Sequence, residues 1–291
     1  MFTTLFRLCR IICLLCAALA LGACSTIKLG YNTLPEIATW WADGYADLDD
    51  AQESRLRENI ARLQQWHRQE ELPRYADLLQ RVEAMAASPV QAQQVCGLVA
   101  EIRGLIAVVA HRAQPALTTM ALGLTPAQLQ HLERKYAKNN AQYGKDWIGI
   151  TAAELADKRF DQALDRSETV YGRLQEPQKA ALREQLERFA FDPRRALALR
   201  QLRQQDILAA LRKLAGQPVS LEEAQLQVKG LLARLQESPD AAGRAWQEAQ
   251  YQAGCAVFSA THNATTPEQR DTAARRLRAW QRDLRELAAQ R

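Results

Sequence analysis

Strand-forming sequence is scarce in this 291-residue chain. β-Branched runs are few, and Ala, Leu, Gln, Arg and Glu, which all favour helix, dominate. The chain also lacks a Gly/Ser-rich linker, a low-complexity tract and any clean break in composition. We therefore predict an all-α protein built as one mostly antiparallel bundle of about ten helices.

Signatures of common enzyme classes are missing as well. The chain contains no G-x-S-x-G, H-E-x-x-H, P-loop or G-x-G-x-x-G pattern. It has four His, and its formal charge of +5 is mild. We expect no metal, no cofactor and no nucleic-acid partner, and we favour a non-enzymatic protein.

The first 21 residues have the pattern of a secretory signal. Arg7 and Arg10 precede an apolar run over residues 11–21. Such a run spans about 16 Å as a helix, too short for a bilayer core of about 30 Å. We interpret residues 1–23 as a signal peptide rather than a transmembrane helix.

The residues that close this segment, Leu21-Gly22-Ala23-Cys24, resemble a bacterial lipobox. The resemblance implies cleavage after Ala23 and acylation of Cys24, palmitate included, so that membrane lipid is a partner. An ordinary secretory signal with a chance Cys is the alternative. Ser25 follows, where an Asp favours retention in the inner membrane, so the same resemblance implies the outer membrane, facing the periplasm. We expect residues 24–34 to be a tether and residues 35–291 a single helical periplasmic domain.

Cysteine usage becomes informative after the signal is removed. Cys9, Cys13 and Cys16 leave with the signal, which leaves Cys96 and Cys255 besides the lipidated residue. Because the periplasm is oxidising, we predict one disulfide between them. Two unconnected buried thiols are the alternative.

Helix starts are legible from capping signals. Ser88, Thr125 and Thr266 each precede a Pro and are followed three residues later by Gln, which is the pattern of a capping box with Pro at the first helical position. Asp192, Ser220 and Ser238 begin similar but reduced signals. These signals predict helices over residues 35–47, 49–70, 73–87, 89–113, 126–147, 151–171, 176–190, 193–215, 221–236, 239–260 and 267–289.

Apolar periodicity suggests which helices are covered. The helix over residues 89–113 carries the broadest apolar face, so we expect it to be central and buried. The last helix carries a stripe of Leu277, Trp280, Leu284 and Leu287 beside many arginines. Those arginines form either a solvated face or a surface for anionic lipid or peptidoglycan.

Leu124-Thr125-Pro126-Ala127-Gln128 matches the motif of Spy-like LTxxQ periplasmic chaperones. Leu174 to Gln178 repeats the spacing without the Thr. The resemblance implies a small all-helical fold with two such motifs about fifty residues apart, which binds unfolded proteins. A capping box explains the same residues without any function.

A second resemblance covers more of the chain. Trp-Trp-x-Asp-x-Tyr at residues 40–45 and Trp-His-Arg-x-x-Glu-Leu-Pro-x-Tyr at residues 66–75 look like a family of proteobacterial lipoproteins of unknown function. This resemblance implies a location and a fold, but no chemistry.

The second motif offers the best candidate chemistry. His67 shares a helix face with Glu70 and Glu71. A metal pair, general acid–base catalysis and a His–Glu hydrogen bond or ion pair are all compatible with this spacing; we favour the last. Pro73 is expected to end the helix and turn the chain, which would make the motif a helix-turn-helix corner.

We group the residues of both motifs as a candidate binding or structural joint: Trp40, Trp41, Asp43, Tyr45, Trp66, His67, Arg68, Glu71, Pro73 and Tyr75. Trp40 and Trp41 are adjacent, so we expect one to pack inward. The other would lie at the membrane surface or cover another part of the fold.

The function that the sequence favours is a binding, scaffold or chaperone-like module of the envelope, with an envelope protein or peptidoglycan as a possible partner. The alternative is a cell-wall hydrolase that uses Glu70 or Glu71. A concave, apolar, basic-rimmed surface would favour binding, whereas a deep cleft of converging carboxylates would favour the enzyme.

Overall fold

The computed structural model describes residues 26–290, and the predicted signal peptide and Cys24 lie outside this range. The described residues are almost entirely helical, which confirms the all-α prediction. The α-helices are α1 (Thr26–Asn32), α2 (Leu34–Ala46), α3 (Asp50–Trp66), α4 (Leu72–Ala86), α5 (Ala92–Leu122), α6 (Pro126–Tyr143), α7 (Ala152–Tyr171), α8 (Glu176–Glu187), α9 (Pro193–Gly216), α10 (Leu221–Gln236), α11 (Ala241–Asn263) and α12 (Pro267–Ala289).

Most helix starts follow the capping chemistry that the sequence predicts. Thr125 and Thr266 each cap a helix through a reciprocal capping box with the Gln three residues on. Asp192 accepts hydrogen bonds from the backbone N–H groups of Arg194 and Arg195. Ser220 accepts one from Glu223.

Two predicted caps were wrong. Helix α5 begins at Ala92 behind a Gln91–Gln94 capping box, so Ser88 does not cap it. The carbonyl of Ser88 instead lies 2.9 Å from His262 Nε2. Helix α11 takes Asp240 as its cap rather than Ser238, because the Asp240 carboxylate accepts from the N–H of Gly243 at 2.6 Å.

The corner predicted at Pro73 was also wrong, since the chain is helical without interruption from Asp50 to Ala86. Residues His67–Glu71 form a π-helical turn between α3 and α4. The wider turn accommodates the proline ring and its missing N–H, so the helix continues. A second π turn, Gly144–Ile148, ends α6.

Helix α5 is less covered than its apolar sequence predicts. Of its stripe, Val95 and Leu105 are buried, whereas Ile102 and Ile106 are 42% and 55% exposed. The helix contacts α3, α9, α10 and α11. In its first half Cys96 is joined to Cys255 of α11, and in its second half Gln114 donates to the carbonyl of Gln225 of α10. Within residues 26–290, α5 is the helix that is long and apolar enough to cross a membrane, judged by length and composition alone.

The last helix packs along α4, and its predicted apolar stripe faces that helix. Leu277 and Leu287 are buried there. Its arginines are partly engaged by neighbouring helices: Arg278 lies 3.1 Å from Glu83, and Arg276 donates to the carbonyls of Glu168 and Thr169 at 2.7 Å. Much of the arginine-rich face therefore fastens α12 to α4 and α7.

Candidate functional site

Two pairs of glutamines organise the helix ends of this protein. Each Gln occupies the third position of a helix and closes its own capping box through Oε1. Each then donates through Nε2 to the partner Gln and to the carbonyl of the residue two positions before the partner's cap. This arrangement of two glutamines and two accepting carbonyl groups occurs twice.

The Gln178–Gln269 pair joins α8 to α12. Gln178 Nε2 donates to Gln269 Oε1 at 2.7 Å and to the carbonyl of Ala264 at 2.9 Å. Gln269 Nε2 donates to Gln178 Oε1 at 3.1 Å and to the carbonyl of Arg173 at 2.9 Å. Both side chains are buried, so water does not compete for these bonds.

The Gln52–Gln128 pair joins α3 to α6 in the same way. Gln128 Nε2 donates to Gln52 Oε1 and to the carbonyl of Asp47 at 2.9 Å. Gln52 Nε2 donates to the carbonyl of Gly123 at 2.9 Å. Gln128 is buried, whereas Gln52 is only partly buried.

These pairs revise the interpretation of the LTxxQ-like motifs. A capping box with Gln at the third helical position occurs at Gln52, Gln128, Gln178 and Gln269. A Leu lies four residues before the first three of these glutamines, and Thr265 takes that place before Gln269. The copies at Leu124 and Leu174 belong to different pairs, because Gln128 bonds to Gln52 and Gln178 bonds to Gln269. Leu48 four residues before Gln52 was the overlooked signal.

Beside the Gln52–Gln128 pair, α3 and the second half of α5 enclose an open groove, which we name the α3–α5 groove. It consists of two adjoining cavities of ≈ 380 and ≈ 310 Å³. Both are lined by Asn59, Arg62, Pro115, Ala116 and Met120. The groove runs from Arg112 on α5 to Leu124, two residues past the end of that helix, and twelve residues at the helical rise span about 18 Å.

The surface of the groove is apolar and its margin is basic. Its apolar lining consists of Leu48, Leu56, Ile60, Leu63, Ala113, Pro115, Ala116, Leu117, Met120 and Leu124. Arg55, Arg62 and Arg112 also line it, and no Asp or Glu does. The groove is therefore concave, apolar and bordered by arginines.

Two arginines of the rim contact neighbouring side chains, Arg62 within α3 and Arg112 of α5 with Trp66 at the end of α3. Arg112 lies over Trp66, with its guanidinium carbon 5.4 Å from the ring centroid. Arg62 donates to Asn59 at 2.7 Å and lies 3.7 Å from Glu58. Among the described residues, Arg55 and Arg112 have no carboxylate oxygen within 4.0 Å, so their charge is available to a bound group.

The candidate joint divides into two structural roles. In the first motif, the Asp43 carboxylate accepts from the backbone N–H of Leu48 at 2.9 Å and fixes the turn before α3. Tyr45 accepts from Asn139 at 2.7 Å, which ties α2 to α6. These contacts place Leu48 and the Gln52 cap at one end of the α3–α5 groove.

Neither tryptophan of that motif packs inward, so this prediction was wrong. Trp40 is 74% and Trp41 58% exposed. The inward face of α2 carries the smaller Pro35 and Thr39, which are buried against the bundle. Trp41 contacts Tyr45 with ring centroids 4.6 Å apart.

The π turn gathers the second motif around His67. The Nδ1 atom of His67 lies 3.1 Å from the Tyr31 hydroxyl, and the centroids of the His67 and Tyr75 rings are 5.3 Å apart. Burial lowers the pKa of His67, and the nearby Glu71 carboxylate partly opposes this. Arg68 donates to Asn32 at 2.9 Å, so the cluster fastens α1 to the long helix.

The hydrogen bond predicted between His67 and a glutamate is absent from the contacts of the described residues. Glu70 is exposed, and Glu71, which is 2% exposed, pairs with Arg74 at 2.8 Å. Arg74 carries a full charge, so it is a stronger partner than a neutral imidazole. Neither glutamate lines the α3–α5 groove.

The structure joins Cys96 on α5 to Cys255 on α11, with Cα atoms 5.5 Å apart. Val90 and Val95 pack in the same buried cluster. Next to it, His262 is buried with its Nδ1 2.9 Å from the Tyr171 hydroxyl. This region, with the Gln178–Gln269 pair, is the closed end of the molecule; the Gln52–Gln128 pair and the α3–α5 groove form the groove end.

Comparison with protein families gives one match. Residues 44–231 match the model of DUF6279, a family of unknown function. The chain belongs to this family. No curated protein and no solved structure matches the chain. The matched region contains every residue that lines the α3–α5 groove, so the groove belongs to the family's own part of the fold.

Proposed function

We propose that this DUF6279 protein is a non-enzymatic binding protein of the bacterial envelope, anchored in the outer membrane through acylated Cys24. It faces the periplasm and holds short apolar polypeptide segments that carry acidic residues. The α3–α5 groove is the observation that carries the proposal, and the chaperone-like resemblance of the Leu124 motif at its border supports it.

The size of the groove suits a short extended segment. A length of about 18 Å accommodates about five residues of extended chain at about 3.3 Å each. The apolar lining, with the adaptable side chain of Met120, accepts varied apolar side chains rather than one shape. Such a site is suited to unfolded or unassembled chains, which expose apolar segments.

The rim adds a preference of charge. Arg55, Arg62 and Arg112 line a surface without a carboxylate. Arginine pairs with carboxylates through parallel N–H donors, so an Asp or Glu next to the bound apolar residues is favoured, and a Lys is repelled. We therefore expect acidic apolar segments to bind more tightly than basic ones.

Peptide binding to the full-length protein tests this function. We expect a fluorescein-labelled peptide LDLDLDL to bind at least tenfold more tightly than LKLKLKL, as measured by fluorescence anisotropy. Ala116→Trp fills both cavities and should weaken binding of the acidic peptide at least tenfold. Ala100→Trp, at an exposed position of the same helix, is the matched control and should bind like the wild type.

Charge reversal separates the rim from the apolar lining. Arg55→Glu with Arg62→Glu should reverse the preference between the two peptides, whereas Arg57→Glu, which lies outside the groove lining, should leave it unchanged. Circular dichroism checks that each variant is folded. Equal binding by the wild type and the Ala116→Trp variant, or no binding of either peptide, would contradict the proposal.

The anchor has its own test. Globomycin should cause an unprocessed precursor to accumulate, and mass spectrometry of the mature protein should find acyl chains on Cys24. Normal processing in globomycin would remove the lipid anchor from the proposal and leave the groove intact. A peptidoglycan zymogram with a clear band that Glu71→Gln abolishes would favour the hydrolase instead.

A further inference from the structure

Helix α2 has its large and small residues reversed relative to a helix that packs on a core. Its buried positions are Pro35 and Thr39. Its exposed apolar residues are Leu34, Ile37, Trp40 and Trp41, which are 43%, 53%, 74% and 58% exposed. A surface helix of a globular domain normally buries such residues, so this face is built for contact with something outside the chain.

The four side chains form one continuous surface. Leu34, Ile37 and Trp41 recur at spacings of three and four residues, and Trp40 lies beside Ile37 on the same side of the helix. Leu29 on α1, which is 62% exposed, extends the surface toward residue 26. We name these five residues the α1–α2 apolar patch.

We propose that the α1–α2 apolar patch inserts into the interface of the lipid bilayer and is a second attachment beside the acyl anchor. This inference rests on the lipid anchor proposed above. Insertion of the patch would set the orientation of the α3–α5 groove relative to the membrane. An acyl anchor at a single residue leaves that orientation undefined.

Two observations favour lipid over a protein partner. Helices that lie in the plane of the membrane interface carry Trp and aliphatic residues on the face that enters the lipid. The exposed face of α2 has the same composition. In addition, α1 begins at Thr26, two residues after Cys24, so the chain between them spans about 7 Å at most. Acyl chains on Cys24 would thus hold the patch at the membrane surface.

Charge on α2 is directed away from the patch or placed beside it. The Asp43 carboxylate is engaged by the Leu48 N–H. On the helical wheel Glu36 lies on the same flank as Asp43, beyond Trp40. Lys28 on α1 pairs with Glu286 at 2.6 Å. Because no basic residue belongs to the patch, insertion should depend on apolar contact and persist in high salt.

The rest of the molecule holds the patch in place. The Gln64 side chain donates to the carbonyl of Tyr31, and Arg68 donates to Asn32, at the end of α1. Helix α2 packs against α3 and α6. Rigid presentation keeps these side chains exposed instead of letting them collapse onto the bundle.

Quenching of tryptophan fluorescence by brominated lipid tests the proposal on the full lipidated chain. The protein is reconstituted in phosphatidylethanolamine and phosphatidylglycerol vesicles with and without brominated phosphatidylcholine. We expect quenching of the wild type that persists in 0.5 M NaCl. Trp40→Phe with Trp41→Phe keeps the patch apolar, removes the reporters and should reduce the quenched emission at least threefold.

Trp246→Phe with Trp280→Phe is the matched control, and it should raise the quenched fraction because it removes tryptophans elsewhere in the fold. Equal fractional quenching in all three proteins, or none in the acylated wild type, would overturn the proposal. Crosslinks between the α2 helices of two chains without quenching would assign the patch to a dimer and overturn it as well. Mass spectrometry of the peptide that contains Cys24 distinguishes failure of the acyl anchor from failure of the patch. Quenching of an unacylated chain would contradict the anchor alone. An acylated chain without quenching would contradict the patch alone.

Discussion

The closed end and the groove end of the molecule each contain a glutamine pair, but the packing beside the pair differs. At each end a pair of glutamines joins the starts of two helices through capping boxes. At the closed end both glutamines are buried, and Leu174, which precedes one of the caps, is 2% exposed. At the groove end Leu48 and Leu124, in the matching positions, are half-buried and line a cavity.

The difference lies in what packs next to each pair. A cluster that includes Phe160, Tyr171, Leu182 and Ala273 covers the closed end. The Cys96–Cys255 bond joins α5 to α11 beside it. At the groove end, Pro115 and Ala116 of α5 face α3 across the two open cavities. The glutamine pair joins the two helix starts at each end, and the surrounding side chains decide whether the space beside the pair is filled.

Removing the disulfide should have the largest effect and should be confined to the closed end. Cys96→Ala with Cys255→Ala opens a loop of sequence separation 159. Chain entropy alone predicts a loss of up to about 5 kcal/mol for such a loop. Urea unfolding measures the loss in the free energy of unfolding.

Hydrogen exchange would locate that loss. Amides of α11 and the first half of α5 should exchange faster, whereas those of α3 and α6 should change less. Equal acceleration at both ends would show that the two ends unfold as one cooperative unit and would contradict the expected difference between them.

Truncating the glutamines should have a smaller effect that differs between the ends. Gln178→Ala removes the acceptor of the Gln175 backbone N–H, the donor to the Ala264 carbonyl and both bonds to Gln269, so it should cost about 1–3 kcal/mol. Gln52→Ala should cost about 1 kcal/mol or less, because water reaches a partly buried site.

Double-mutant cycles sharpen this expectation. Gln178 and Gln269 should couple by at least about 0.5 kcal/mol, whereas Gln128 and Gln178, which belong to different pairs, should be additive. Strong coupling of Gln128 with Gln178 would mean that the two LTxxQ-like motifs act together, against the pairing seen here.

Lowering the pH should reduce the stability of the closed end, and by less than loss of the disulfide or truncation of the buried glutamines does. Burial lowers the pKa of His262, and the charge of Arg270 acts in the same direction, while the bond to the Ser88 carbonyl partly opposes both. The fold therefore favours the neutral ring. This contribution is complete above the ordinary pKa of about 6.5 and is lost as the pH falls below it.

Urea midpoints at pH 8 and pH 5 test the sign. The wild type should be less stable at pH 5, and His262→Gln should reduce the difference. Some difference should remain, because burial also lowers the pKa of His67. His111→Gln, at an exposed position of α5, is the control and should leave the difference unchanged. A wild type that is more stable at pH 5 would contradict the assignment.

Local chemistry made most helices predictable. Thr125, Asp192, Ser220 and Thr266 cap helices where their side chains predict, because a cap is decided within four residues. Pro73 failed as a stop signal because a π turn depends on the packing around it. The tryptophans failed because adjacency shows only that two side chains diverge, and not which face of the helix the bundle covers.

The sequence alone predicts the all-α class, most helix boundaries and the capping glutamines other than Gln52, since these depend on contacts between near neighbours in the chain. Which glutamine pairs with which was decided only in the tertiary structure, because contacts between residues 76 or 91 positions apart depend on how whole helices pack. The same packing exposed the patch on α2 and opened the α3–α5 groove. Most residues that line this groove lie on α3 and α5, and their local sequence does not show that these two helices lie side by side.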